Sequence, residues 1–187
     1  MNPTPEQIQK INFFTKVDLE LCAKIANVVE IKECGSKEQL LTEGDTGDTM
    51  VLIFQGQVEV SKNMMVKTPS GFTTSRKPII RLETTDPRPA SPPDTEATVF
   101  VVEAPAFGIG EFSLVLDDAI RSAHVHSTTP LKYGVLSLDD FTKIVRENPG
   151  VGGSVYFEVA KSAVTSLAQA SGDISNLTQA FFFALTR

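Results

Sequence analysis

Apolar residues at Val17, Leu21, Ile25, Val28 and Val29 recur with a helical period and predict a helix over residues 15–29. Thr15, with Asp18 three residues later, is its candidate capping box. From Val28 to Val60 the pattern shortens to β-prone runs at 28–33, 39–42, 49–54 and 57–62, divided by Gly35, Gly44, Gly47 and Gly56. Strands so short and evenly spaced predict a β-roll or barrel. Residues 63–98 interrupt the pattern with Pro69, Pro78, Pro87, Pro89, Pro92 and Pro93, six of the eleven prolines. Proline cannot donate to a sheet ladder, so this stretch reads as an insertion in a β-hairpin, with a short strand at 78–82 and a mobile piece at 84–96.

The β pattern returns at 98–102, breaks over 105–110 and resumes at 123–127 and 133–137. Asp139-Asp140 predicts the cap of a short helix running to about Arg146, stopped by Asn148-Pro149-Gly150. Beyond it Val155, Val159, Ala163, Leu167, Ala170, Ile174, Leu177, Phe181 and Ala184 follow one another at spacings of three or four, a single helical stripe. Ser171-Gly172-Asp173 admits a break into two helices. The stripe keeps its phase across it, which favours one long helix with a weak point at Gly172. The expected architecture is mainly β: a β-roll domain over 1–150 with an N-terminal helix, and an amphipathic helical segment over 151–187.

With 187 residues, a formal charge of −6 and 41% hydrophobic residues, the chain has material for one ordinary core. No run approaches the roughly 18 apolar residues of a membrane-spanning helix. Residues 1–10 are too polar for a signal peptide, so the expected location is cytoplasmic, without a membrane partner. Cys22 and Cys34 are too few for a disulfide framework. The longest basic run is Arg76-Lys77, which argues against a nucleic-acid surface. Trp is absent, while Phe13-Phe14 and Phe181-Phe182-Phe183 form two clusters that need partners.

The segment 107–125 carries the chemistry. Gly110 lets backbone approach a ligand closely, and a helical turn starting there would present free N–H groups to an anion. Arg121, ten residues after Glu111, has the planar fork that matches two phosphate oxygens. Glu111 accepts hydrogen bonds when ionised, which suits a sugar hydroxyl and repels a phosphate. Together they describe a pocket for a phosphorylated sugar; the competing reading is an Arg–Glu salt bridge beside a tight turn.

Ile109-Gly-Glu-Phe-Ser-Leu followed by Ile120-Arg-Ser-Ala-His-Val resembles the phosphate-binding cassette of the cyclic nucleotide-binding domains, the family of the catabolite activator protein and the regulatory subunits of cyclic-AMP-dependent kinase. Upstream, the Glu43-Gly-Asp turn and the strand–Gly56–strand that follows are similar to the same family, and the resemblance covers about 11–62 and 98–170. It implies that Arg121 pairs with the cyclic phosphate and Glu111 accepts from the ribose 2′-OH. Main-chain groups at Gly110 and Phe112, the hydroxyls of Ser113 and Ser122, and Ala123 complete the implied cradle, and Thr165 or Ser166 reaches the purine. The sequence departs from the family at Ala106-Phe107, where Gly-Asp is usual, at Ser113, where Ala or Gly is typical, and at Ile120, where Pro is frequent.

Other signals are weaker. His124 and His126 share one face of a strand, as in a metal-dependent jelly-roll enzyme, but no third His exists. Residues 43–48 read as an acidic turn, Asp117-Asp118 as a solvated one, and Cys34 as a packing residue beside Gly35. Residues 150–154 lack the Lys of a phosphate loop. The expectation is a non-enzymatic cyclic nucleotide receptor without metal or cofactor, taking cyclic AMP or cyclic GMP and acting through its C-terminal helix on an effector protein or a second subunit. The alternative is a roll that has lost its ligand and serves as an interaction module. The tail either pairs with a second copy or folds back as a lid.

Overall fold

The computed structural model describes residues 1–85 and 99–185. Two short helices open it. In α1 (Pro5–Gln9) the Thr4 hydroxyl and the Gln7 side chain cap one another's backbone, with Pro5 at the first turn. The predicted helix over 15–29 begins later, as α2 (Leu19–Val28), because Asp18 is itself the cap and accepts from Leu21 N–H at 2.9 Å. Thr15 instead donates to the Asn12 carbonyl.

Nine strands follow among the described residues: β1 (Lys32–Cys34), β2 (Gln39–Leu41), β3 (Thr49–Gln55), β4 (Gln57–Thr68), β5 (Gly71–Thr84), β6 (Phe100–Ala104), β7 (Phe107–Ile109), β8 (His124–Ser127) and β9 (Leu131–Ser137). They form two sheets, in the orders β1-β9-β3-β7 and β2-β8-β4-β5-β6. The mainly β roll with flanking helices is the expected fold. All pairings between these strands are antiparallel except β5 with β6. Strand β3 is buried almost throughout because its two faces serve two cores. Met50, Leu52 and Phe54 join the helices, Phe13, Phe14 and Leu136, while Val51 and Ile53 join Val58, Phe107, Ile109, Val125 and Leu131 inside the roll. Phe13-Phe14 finds its partners in the first of these cores.

Three strand expectations are corrected. Strand β7 lies where a break was expected over 105–110; Phe107 and Ile109 are buried and pair with β3. The proline-rich stretch does supply a central strand, since β5 lies between β4 and β6 over residues 80–84. Pro78 is tolerated because it sits at a bulge opposite Ser61, before pairing with β6 begins at Ile80. Thr84, expected to be mobile, is fully buried at the end of β5. The rest of that expected mobile piece, from residue 86 on, lies outside the described residues.

Helix α3 (Leu138–Glu147) is capped by Ser137, whose hydroxyl accepts from Asp140 N–H at 3.1 Å; the two aspartates fill the first turn and do not form the cap. Helix α4 (Pro149–Leu185) is continuous over 37 residues, past Gly172. It docks through buried Val155 and Val159, an edge-to-face contact of Tyr156 with Phe141 at 5.7 Å, and Gly152 closely packed on Val145. From Val164 onward every described side chain of α4 is exposed.

Candidate functional site

Strand β7 ends at Ile109, and Gly110 then turns the chain at φ +80° into a 3-10 helix over Glu111–Leu114. Only glycine takes this conformation without strain, and a Cβ there would also meet Arg121 Nη1 at 2.4 Å. The turn at 44–47 holds the next strand's approach: Gly44 N–H donates to Arg121 O, Arg121 N–H to Asp45 O, and Gly47 N–H to Ala119 O, at 2.8–2.9 Å. Gly47 is the floor for the guanidinium. A Cβ on it would lie 2.1 Å from Arg121 Nε.

Arg121 is 8% exposed, and its fork is engaged by the protein. Nη1 donates to Ser113 Oγ at 2.7 Å, and Nη2 donates to Thr49 O at 2.7 Å and Thr49 Oγ1 at 3.1 Å. Neither Glu111 nor Asp48 forms an ion pair with it among the described residues, so the salt-bridge reading of the turn is not what the geometry contains. Burial weakens the hold of Arg121 on its proton, and the fields of Asp48 and Glu111 oppose that.

Burial likewise raises the Glu111 carboxyl, offset in part by the N–H groups of Glu111 and Gly110 and by Arg121. The native state therefore takes up this proton before the unfolded chain does as pH falls. Stability should rise as pH is lowered from neutral through the raised native pKa, and level off below the ordinary value of 4.5. Urea unfolding across this range should show that rise in the wild type and lose it in Glu111→Gln; identical profiles would contradict the assignment.

These groups line a cavity of about 160 Å³. Leu41, Val60 and Val125, from β2, β4 and β8, form its apolar wall; residues 109–113 and 119–123 form the rest. The structure thus brings together Gly110, Glu111, Phe112, Ser113, Arg121, Ser122 and Ala123. It does not bring Thr165 and Ser166 there. They line a separate open depression of about 230 Å³ with Asn12, Phe13, Glu158, Lys161 and Ser162, because α4 docks on the helical side of the roll. Sequence reasoning missed Thr49 and Gly47 as the acceptors and floor for Arg121. The Gly-Asp-Thr repeat at 44–49 was the available signal.

The remaining motifs take structural places. His124 and His126 lie opposite Ser61 and Glu59, on the sheet face that Val60 and Val125 turn away from. His124 Nδ1 accepts from Glu43 N–H at 3.1 Å and its Nε2 lies 3.0 Å from Asn63 Nδ2. Among the described residues no group of three or more His, Cys, Asp or Glu side chains is arranged to hold a metal. Burial pushes the Cys22 thiol up to about 11 and raises that of Cys34, so neither is an activated nucleophile.

No family model matches the chain, and no curated protein sequence does. Solved structures do. The N-terminal domain of a transcriptional regulator from Streptomyces coelicolor A3(2) is 19% identical, with a TM-score of 0.61 over 88% of this chain and 94% of that one. A cyclic nucleotide-binding domain from Methylobacillus flagellatus KT is 25% identical, with a TM-score of 0.59 over 88% and 76%. The catabolite activator protein of Thermus thermophilus is 17% identical, with a TM-score of 0.62 over 89% of this chain and 63% of its own.

Proposed function

The chain has the β-roll fold of the cyclic nucleotide-binding domains, and on that premise we propose that it is a non-catalytic receptor for a cyclic nucleotide, cyclic AMP before cyclic GMP. The observation that carries this reading is the cavity in which Gly110, Glu111 and Arg121 meet an apolar wall. A cyclic phosphate offers two exocyclic oxygens and one charge to the Arg121 fork, and the ribose 2′-OH can donate to Glu111. Small-molecule sites usually exceed about 300 Å³, so this smaller cavity fits the phosphoribose and leaves the base at its open mouth.

The signal would start at the arginine. A phosphate that draws Nη1 from Ser113 Oγ disturbs the 3-10 helix, whose Leu114 is buried in one core with Phe141, Ile144, Val155 and Val159. Ligand binding would thereby shift the population of α3 and α4 placements. The competing reading, a roll kept as an interaction module, is favoured by the fact that protein acceptors already engage both terminal nitrogens of Arg121. Thermal unfolding separates the two. A micromolar ligand at about millimolar concentration stabilises by about 4 kcal/mol, a rise of roughly 10 °C for a chain of this size. No shift with either cyclic nucleotide would favour the interaction module.

The tail is the proposed output. Val164, Leu167 and Ile174 on α4 are 64–68% exposed, an apolar stripe that soluble proteins cover. No described residue of α4 lines the cassette cavity, which argues for pairing with a second copy over a lid. Deleting residues 171–187 should convert a dimer to a monomer in light scattering while leaving nucleotide affinity unchanged. An unchanged mass with much weaker binding would restore the lid.

A further inference from the structure

Strand β4 pairs with β8 only as far as Ser61, and β5 pairs with β6 only from Ile80. Between these limits β4 and β5, among the described residues, pair only with each other, from Lys62 opposite Lys77 to Thr68 opposite Gly71. This two-stranded ribbon projects about 20 Å at about 3.3 Å per residue. Residues 60–82 contain five of the 17 basic residues and none of the 23 acidic ones, so the rest of the chain carries a formal −11. Lys62 and Lys77 stand directly opposite each other, a like-charge pair that weakens a ladder unless an anion screens it. Neither they nor Lys67 form an ion pair among the described residues.

The apolar side chains sit nearer the turn. Met65 is 75% exposed, Phe72 71% and Met64 44%, with Phe72 opposite Lys67. We infer that the β4–β5 ribbon is a docking element for an anionic lipid surface, inserting Phe72 and Met65 among the acyl chains while Lys62, Lys67 and Lys77 meet the headgroups; Arg76 is held back on the roll by Gln39 Oε1 at 3.0 Å. Insertion to about 5–10 Å would immerse the ribbon from its turn back to the Met65–Thr74 pair. The long stems of Lys62 and Lys77 then reach the phosphates from behind. With the ribbon inserted to that depth the acidic body stays about 10 Å from the surface, just past the roughly 8 Å over which charges interact strongly at physiological salt. A nucleic acid fits less well, because thioether and phenyl groups at the tip give no donors to base edges and would remain in water.

The absence of Trp makes the test direct, since Phe72→Trp introduces a single fluorescent reporter into the full chain. With vesicles of phosphatidylcholine containing about one-third phosphatidylserine, its emission should move to the blue and be quenched by brominated acyl chains. Neutral phosphatidylcholine vesicles should give neither change. Adding Lys62→Ala and Lys77→Ala should weaken partitioning about fivefold for each lysine removed. An unshifted emission with the anionic vesicles would overturn the proposal, as would equal partitioning into neutral ones. A shift produced by duplex DNA and not by vesicles would assign the ribbon to nucleic acid instead.

Discussion

Arg121→Ala should reduce cyclic nucleotide affinity by about a thousandfold, or about 4 kcal/mol, while Glu111→Gln costs far less. Among the described residues the guanidinium is the only cation lining the cavity, so its loss leaves the phosphate without a charge partner. The glutamine keeps a carbonyl to accept from the ribose. Arg121→Lys should fall between, because it restores the charge without the fork that spans Ser113 and Thr49. The alanine variant also strands Ser113 Oγ and Thr49 O without their donor, at roughly 1–3 kcal/mol of stability. Circular dichroism alongside the titration separates lost binding from lost fold. Wild-type affinity in Arg121→Ala would place any ligand elsewhere.

Phe141→Ala should lower stability by about 3–5 kcal/mol, because the ring is fully buried and its removal leaves a cavity in the helical core. For a chain of this length that corresponds to a fall in Tm of roughly 10 °C or more. Phe141 also joins the roll to α4, meeting Tyr156 edge to face. Its removal should loosen the tail from the roll while leaving the cavity walls in place. Urea unfolding measures the first effect and proteolysis within α4 the second. A cost below about 1 kcal/mol would show that the helical core closes over the gap.

How much of this was legible depended on whether the deciding interaction was local. The stripe on α4 follows from spacings of three and four and the strands from short β-prone runs divided by glycines, signals that neighbours in sequence dictate, and both appear in the fold. The cassette residues were legible for the same reason: Gly110, Glu111 and Arg121 lie within one turn-and-strand segment. Pairing between distant strands was not legible. Pro78 marked β5 as unfit for a sheet interior, yet a bulge opposite Ser61 places it before β6 joins, and that depends on partners in two other strands. Phe107 and Ile109 read as a break because three residues are too few to show alternation, although β3 holds them in register. Thr165 and Ser166 lie apart from the cassette for a different reason. Their assignment came from family resemblance, which fixes a distance along the chain and not the side of the roll on which α4 docks.

The exchange of partners at Arg121 is the step on which the receptor reading rests. Calorimetric titration of the full chain with cyclic AMP and with cyclic GMP reads it directly. One of them should bind once per chain with micromolar or tighter affinity, near −8 kcal/mol, and the heat should vanish in Arg121→Ala. No heat from either ligand at about millimolar concentration would contradict it and leave the roll as an interaction module.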